Sequence, residues 1–123
     1  MESFVLEPGS DTPRVVMDAV NNVFEISQRS YPEDAVAFYA PVLQWLSAYI
    51  ASPNSATAFT IDLEYYNTSS AKQLFRIFSL LNQLAKDKPV TVNWCYKKED
   101  TDMRLSGERF AKLFQVPFNF IEN

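Results

Sequence analysis

From residue 30 onward the chain alternates between two apolar rhythms, and this alternation limits its fold more than any other feature. Leu74, Ile77, Phe78, Leu81, Leu84 and Ala85 recur at three- and four-residue spacing, the stripe of an amphipathic helix, and the pattern stops at Lys88-Pro89. On either side lie strand-like runs, Thr57 to Tyr66 and Val90 to Tyr96. In the first of them Phe59, Ile61 and Leu63 share one face, and Ala58, Thr60 and Asp62 the other. An earlier helical stripe passes through Ala35, Tyr39, Val42, Leu43, Leu46, Tyr49 and Ile50 and ends by Ser52-Pro53-Asn54. A later one begins near Asp102, carries Met103, Gly107, Phe110 and Phe114, and is ended by Pro117 before a last strand over Phe118 to Ile121. Strands and helices alternating in this way call for right-handed crossovers and a largely parallel sheet.

Three short strands are expected before that region, at Phe4 to Glu7, Arg14 to Asp18 and Val23 to Ser27, separated by turn formers and able to pair antiparallel. The predicted order is β-β-β-α-β-α-β-α-β, an α/β domain with a mixed sheet. Ser30-Tyr31-Pro32-Glu33 has the form of a capping box and is expected to open the first helix. Pro41 lies inside that helical pattern and withholds a donor from Ala37, which predicts a kink or a helix restart. Gly107 costs its helix about 1 kcal/mol relative to alanine, a cost that a close approach of helix to sheet would explain.

At 123 residues the chain is one domain by size and can bury about two-thirds of its unfolded surface without metal or disulfide support. No apolar run approaches the length of a bilayer span, and the acidic start is unlike a signal peptide, so a cytoplasmic location is expected and no membrane partner. Cys95 is the single cysteine and histidine is absent, which removes the intrachain disulfide, the common zinc ligand sets and a Cys/His dyad. No metal, cofactor or catalytic residue is expected. The net charge of −4 argues against nucleic acid, whose phosphates demand a basic face. Charge is uneven, however: residues 1–70 hold nine acids and two bases, net −7, while residues 71–123 hold six acids and nine bases, net +3. Such polarity can steer a protein partner.

The sharpest local signal is Leu63-Glu64-Tyr65-Tyr66-Asn67-Thr68-Ser69-Ser70-Ala71-Lys72, where a strand passes into the best-defined helix. That junction is the carboxyl end of a parallel strand, where open α/β sheets carry their sites. One capping side chain suffices at a helix start, and either Asn67 or Thr68 can supply it. A run of three hydroxyls goes beyond that need. Phosphorylation is the functional alternative to plain capping: a phosphate at a helix N-terminus meets free N–H groups and the positive end of the dipole. Lys72, four residues after Thr68, lies on the same helix face and is placed to pair with it.

Ser30-Tyr31-Pro32-Glu33, Phe38-Tyr39-x-Pro41-Val42-Leu43-x-Trp45-Leu46, the Asn67-Thr68-Ser69-Ser70-x-Lys72 box with its preceding Leu63-Glu64-Tyr65-Tyr66, Val92-Asn93-Trp94-x-Tyr96 and Pro117-Phe118 together resemble the SiaC-type regulatory phosphoproteins of bacteria. The resemblance runs over nearly the whole chain, with two departures: Gln28 stands where glycine is expected and Cys95 where tyrosine is expected. It implies a single STAS-like regulatory domain over residues 1–123, similar to anti-sigma-factor antagonists and without catalysis of its own. It implies that Thr68, with Ser69 as the fallback, is phosphorylated by a partner kinase of histidine-kinase-like ATPase fold and dephosphorylated by a PP2C-type phosphatase. The unphosphorylated form is then expected to bind and activate a GGDEF diguanylate cyclase, raising cyclic di-GMP and promoting aggregation and biofilm. Asn67, Ser69, Ser70 and Lys72 would surround the switch.

Other residues carry weaker signals. Asp100-Thr101-Asp102 reads as a solvated loop and helix cap, and Asp62 with Glu64 as two carboxylates on one strand face that lack a nucleophile or metal partner. A small hydrolase built on these acids is one alternative, and a passive adaptor whose hydroxyl box merely caps a helix is the other. Trp45 and Trp94 suit either an interface anchor or a core position.

Overall fold

The computed structural model describes residues 1–123 and contains β1 (Phe4–Leu6), β2 (Arg14–Asp18), β3 (Val23–Ser30), α1 (Ala35–Ala51), β4 (Thr57–Tyr66), α2 (Thr68–Leu84), β5 (Val90–Tyr96), α3 (Thr101–Leu113) and β6 (Phe118–Glu122). This is the order that the alternating rhythms predict. All six strands form one sheet in the order β1-β2-β3-β4-β5-β6, antiparallel through β3 and parallel from β3 to β6.

Register shows where the helices lie. Phe24 pairs with Phe59, Phe59 with Val92, and Val92 with Phe118, so these four side chains share one face of the sheet. On that face Phe24 meets Tyr49 of α1 at 4.9 Å, and Phe118 meets Phe78 of α2 at 5.2 Å. In the row beside it Ile26, Ile61 and Trp94 are in register, and Trp94 packs against Phe110 of α3. All three helices therefore cover the same face, over a core that joins Val15, Met17, Phe24, Ile61, Leu46, Ile77 and Trp94 among others. The reverse face is polar: Asn119 donates to Asn93 and Asn93 to Thr60, both at 3.5 Å, Asn123 donates to Asp62 at 3.1 Å, and Arg14 pairs with Glu25. Cys95 sits on this face, its thiol pushed up to about 11 by burial and by the nearby Asp62 and Glu25 charges.

Several local expectations are corrected. Ser30-Tyr31-Pro32-Glu33 does not cap α1: Asp34 does, accepting from the Ala37 N–H at 3.1 Å, while Ser30 is the last residue of β3. The strand runs three residues past the expected Ser27 because Ser30 still finds a partner in Tyr66. Pro41 causes no restart, and α1 continues from Ala35 to Ala51. Pro41 and Ala37 both lie on the exposed side of α1, where a carbonyl left without its helical donor costs least. The third helix ends at Leu113, with Phe114 already extended, and not at Pro117.

The glycine expected at position 28 has a visible reason. Gln28 has φ +81°, in the left-handed region, where the β3–β4 register slips so that Leu63 and Tyr65, not Leu63 and Glu64, face Gln28 and Arg29. Glu64 is the extra residue, and after it Tyr65 turns to solvent against Tyr31 while Tyr66 turns toward Trp94 and Phe110. The shift thus aims Tyr66 at the helices where β4 ends.

Candidate functional site

The four polar residues at the mouth of α2 have separate places. Asn67 is the N-cap, with extended backbone and a side-chain oxygen that accepts from the Ser70 N–H at 2.9 Å. The main-chain oxygen of Asn67 takes the Ala71 N–H. Thr68 and Ser69 follow in the first turn with exposed side chains. Ser70 is fully buried and faces inward: its hydroxyl donates to the Ser30 carbonyl at 3.0 Å and lies 2.8 Å from the Ser30 hydroxyl, which is 2.7 Å from the Tyr39 hydroxyl. One arrangement uses every proton, running from Tyr39 to Ser30 to Ser70 and ending on the Ser30 carbonyl. Burial pushes the Tyr39 hydroxyl up to about 12, against the lowering effect of Ser30.

This chain of hydroxyls fixes the helix start to the end of β3, and the Asn67 N–H donates to the Ser30 carbonyl as well. Ser30 of the Ser-Tyr-Pro-Glu motif and Ser70 of the Asn-Thr-Ser-Ser box, forty residues apart, are therefore two halves of one joint. Ser70 belongs to the scaffold beneath Thr68 and not to the surface around it.

Two hollows flank Thr68. The larger, about 350 Å³, lies between the start of α2 and the last turns of α3 and is lined by Tyr66, Asn67, Thr68, Ala71, Ser106, Arg109, Phe110 and Leu113. Burial pushes the Tyr66 hydroxyl above its usual range, while Ser106 and the Arg109 charge act the other way. The second, about 290 Å³, is almost wholly apolar and is formed by Thr68, Ala71, Lys72, Phe75 and Phe110. Thr68, Ala71 and Phe110 line both, so Thr68 stands on the rim where they meet. Phe75 packs on Phe114 at 5.0 Å and is still 43% exposed, and Leu113 is 63% exposed, which leaves an apolar patch beside the hydroxyl.

Reading the sequence located the α2 half of this site and missed the α3 half. Ser106, Arg109 and Leu113 stand 38 to 45 residues from Thr68, and their only sequence-level trace is the basic excess of the second half. The weaker candidates fall elsewhere. Asp100 caps α3 by accepting from the Met103 N–H at 3.0 Å. Asp62 takes the bond from Asn123 on the reverse face, and Glu64 is exposed at the register shift. Trp94 is fully buried, donating to the Met103 carbonyl at 2.9 Å, and Trp45 stacks on Tyr49 and donates to the Glu2 carbonyl. No cluster of three or more His, Cys, Asp or Glu side chains is present that could hold a metal ion, and no helix is long and apolar enough to cross a membrane.

Comparison with known proteins bears on the family and the fold. Residues 6–123 match the model of a family described as SiaC family regulatory phosphoprotein. A protein of Pseudomonas aeruginosa (strain UCBPP-PA14) is 26% identical over 113 residues, 90% of each chain. The fold is similar to that of SiaC of Pseudomonas aeruginosa, with a TM-score of 0.90 at 23% identity over the whole of both chains. It is equally similar to a chain in the crystal structure of the diguanylate cyclase SiaD in complex with its activator SiaC from the same organism, with a TM-score of 0.92 at 23% identity over 98% of this chain and 99% of that one.

Proposed function

This chain belongs to the SiaC family of regulatory phosphoproteins, and on that premise we propose that it is a phosphorylation-switched activator of a diguanylate cyclase. The whole chain acts as one STAS-like regulatory domain in the cytoplasm. Its unphosphorylated form binds the GGDEF cyclase and raises cyclic di-GMP, favouring aggregation and biofilm. A kinase of histidine-kinase-like ATPase fold phosphorylates Thr68, which releases the cyclase, and a PP2C-type phosphatase restores the binding form. Support for the cyclase comes from the Pseudomonas complex in which SiaC is named as the activator of SiaD.

The observation that carries the switch is the position of Thr68. It is an exposed hydroxyl in the first turn of α2, on the rim between two hollows and beside the exposed Phe75 and Leu113. A group of about −1.5 to −2 charge added there faces any partner seated on that apolar patch, and excludes it by desolvation. Ser70 lies beneath the surface and does not compete as acceptor, which leaves Thr68 with the exposed Ser69 as the fallback.

Incubation of the chain with the kinase and ATP, followed by mass spectrometry, tests the assignment, with a single phosphate on Thr68 as the expected product. Modification elsewhere with Thr68 untouched overturns it. Thr68→Ala should keep cyclase binding and resist the kinase, while the phosphorylated chain should lose binding. A second reading rests on Asn67 and Ser70, whose structural roles account for half of the polar box without any switch. In that case the chain is a passive adaptor, and its affinity for the cyclase is the same with Thr68 phosphorylated or free.

A further inference from the structure

The larger hollow beside Thr68 has an unusual lining. Its only charged residue is Arg109, and no carboxylate borders it. The chain contains two ion pairs, Arg14 with Glu25 and Arg104 with Glu108, so Arg109 has no acidic partner; its one side-chain bond is a 3.3 Å contact to the Ser106 hydroxyl, one turn back on α3. Ser106 and Tyr66 add two hydroxyls to the same wall, and Phe110 and Leu113 complete it with apolar surface. A guanidinium flanked by hydroxyl donors in an open, partly polar recess suits a phosphate, which it can grip through two parallel N–H bonds.

We propose that Arg109 receives the phosphate of Thr68 within the same chain, so that phosphorylation ties the first turn of α2 to α3 and fills the hollow between them. This rests on the reading of Thr68 as the acceptor and adds what happens to the phosphate once it is there. Thr68 and Arg109 line one cavity from opposite elements, so a phosphate on the threonine oxygen would share that hollow with the guanidinium. Lys72, which the four-residue helical spacing suggests as the partner, lies in the neighbouring apolar hollow with Phe75, where no hydroxyl other than that of Thr68 itself accompanies it. A lysine is also a point charge without the planar fork. The switch then has two effects at one place: a negative group appears on the rim, and the recess with its free cation is closed to any partner.

The test installs phosphothreonine at position 68 of the full chain by encoded incorporation, so the acceptor is fixed by design and does not depend on any kinase. The phosphate is titrated by phosphorus NMR in the wild-type background and in R109Q, R109K and K72Q. A nearby guanidinium favours the dianion, so the second phosphate pKa in the wild type should fall at least about half a unit below that of phosphothreonine in a peptide spanning residues 65–74. R109Q should raise it toward the peptide value, R109K should give an intermediate value, and K72Q should leave it in place. Arg109 is exposed, and the unphosphorylated R109Q chain should unfold at the wild-type temperature. An R109Q titration that coincides with wild type, or a K72Q shift as large as that of R109Q, overturns the proposal. Failure of the kinase to modify Thr68 would instead appear in mass spectrometry of the ordinary chain and leaves this titration standing.

Discussion

The Ser30 and Ser70 hydroxyls lie 2.8 Å apart in the interior, and through them the last residue of β3 holds the first turn of α2. Ser70→Ala removes the donor to the Ser30 carbonyl and one partner of the Ser30 hydroxyl, leaving buried polar groups short of a bond. The expected loss is about 1–2 kcal/mol by urea unfolding. Ser30→Ala should cost a similar amount, and the double variant less than the two losses together, with a coupling of at least about 0.5 kcal/mol. Additive losses would mean that the joint does not act as a unit.

Tyr39 gives this joint a signature in alkaline solution. Its hydroxyl is pushed from the usual 10.0 up to about 12, chiefly by burial, so the unfolded chain loses that proton first. The stabilisation is complete below pH 10 and is lost as pH rises through 12. Two pH units correspond to about 2–3 kcal/mol. Cys95 and Tyr66, also raised by burial, act in the same direction, and the Tyr39 share is isolated by comparison with Tyr39→Phe. That variant should start about 1 kcal/mol less stable at neutral pH and lose less between pH 10 and 12, as followed by chemical unfolding.

Gly107 leaves no room for a side chain. A Cβ built there lies 2.5 Å from Cδ1 and Nε1 of Trp94, and that indole is held by its own bond to the Met103 carbonyl. Gly107→Ala gains about 1 kcal/mol of helix propensity but must displace the ring or lift α3. A net loss of about 1–3 kcal/mol is expected in thermal unfolding. The fluorescence of Trp94 should shift to the red in the same variant.

Gln73 offers a route to greater stability. It is 5% exposed in the middle of α2, and its Oε1 accepts no hydrogen bond. Gln73→Met keeps the length and removes the unmet acceptor, so a gain of about 1 kcal/mol is expected. A melting temperature below that of the wild type would show that the amide has a partner in solution.

Gln28 holds a positive φ that glycine adopts without strain. Gln28→Gly should stabilise the fold by about 0.5–1 kcal/mol, net of the greater freedom it gives the unfolded chain. Unfolding in urea compares the two directly.

The elements whose apolar spacing stays in phase were legible in the sequence: β4 and β5 have the predicted bounds, and α2 buries Leu74, Ile77, Phe78, Leu81 and Leu84 as its stripe requires. The close contact expected of Gly107 is present against Trp94. Reading failed where a local pattern had two physical uses. Ser30 through Glu33 has the spacing of a cap, yet Ser30 is claimed by Tyr39 and Ser70, contacts nine and forty residues away that no local spacing encodes. The candidate site divides in the same way. Asn67 as cap and Thr68 as an exposed hydroxyl follow from position at a helix start, whereas Ser106, Arg109 and Leu113 reach Thr68 only because α3 crosses back over the end of β4.

Every strand of the sheet is hydrogen-bonded to the strand before it in the chain, with no later strand inserted between two earlier ones. Assembly can therefore proceed by addition at a growing edge, each crossover delivering its helix to the same side and each new strand finding a finished template. A chain emerging from its amino end never has to open a completed pair to admit a newcomer, and the largest loop to be closed at any step is one crossover. The joint between Ser30 and Ser70 forms when α2 arrives, but the recess with Arg109 exists only after α3 has docked. The surface around Thr68 is thus among the last parts of the molecule to be built, and only a chain folded through α3 displays it.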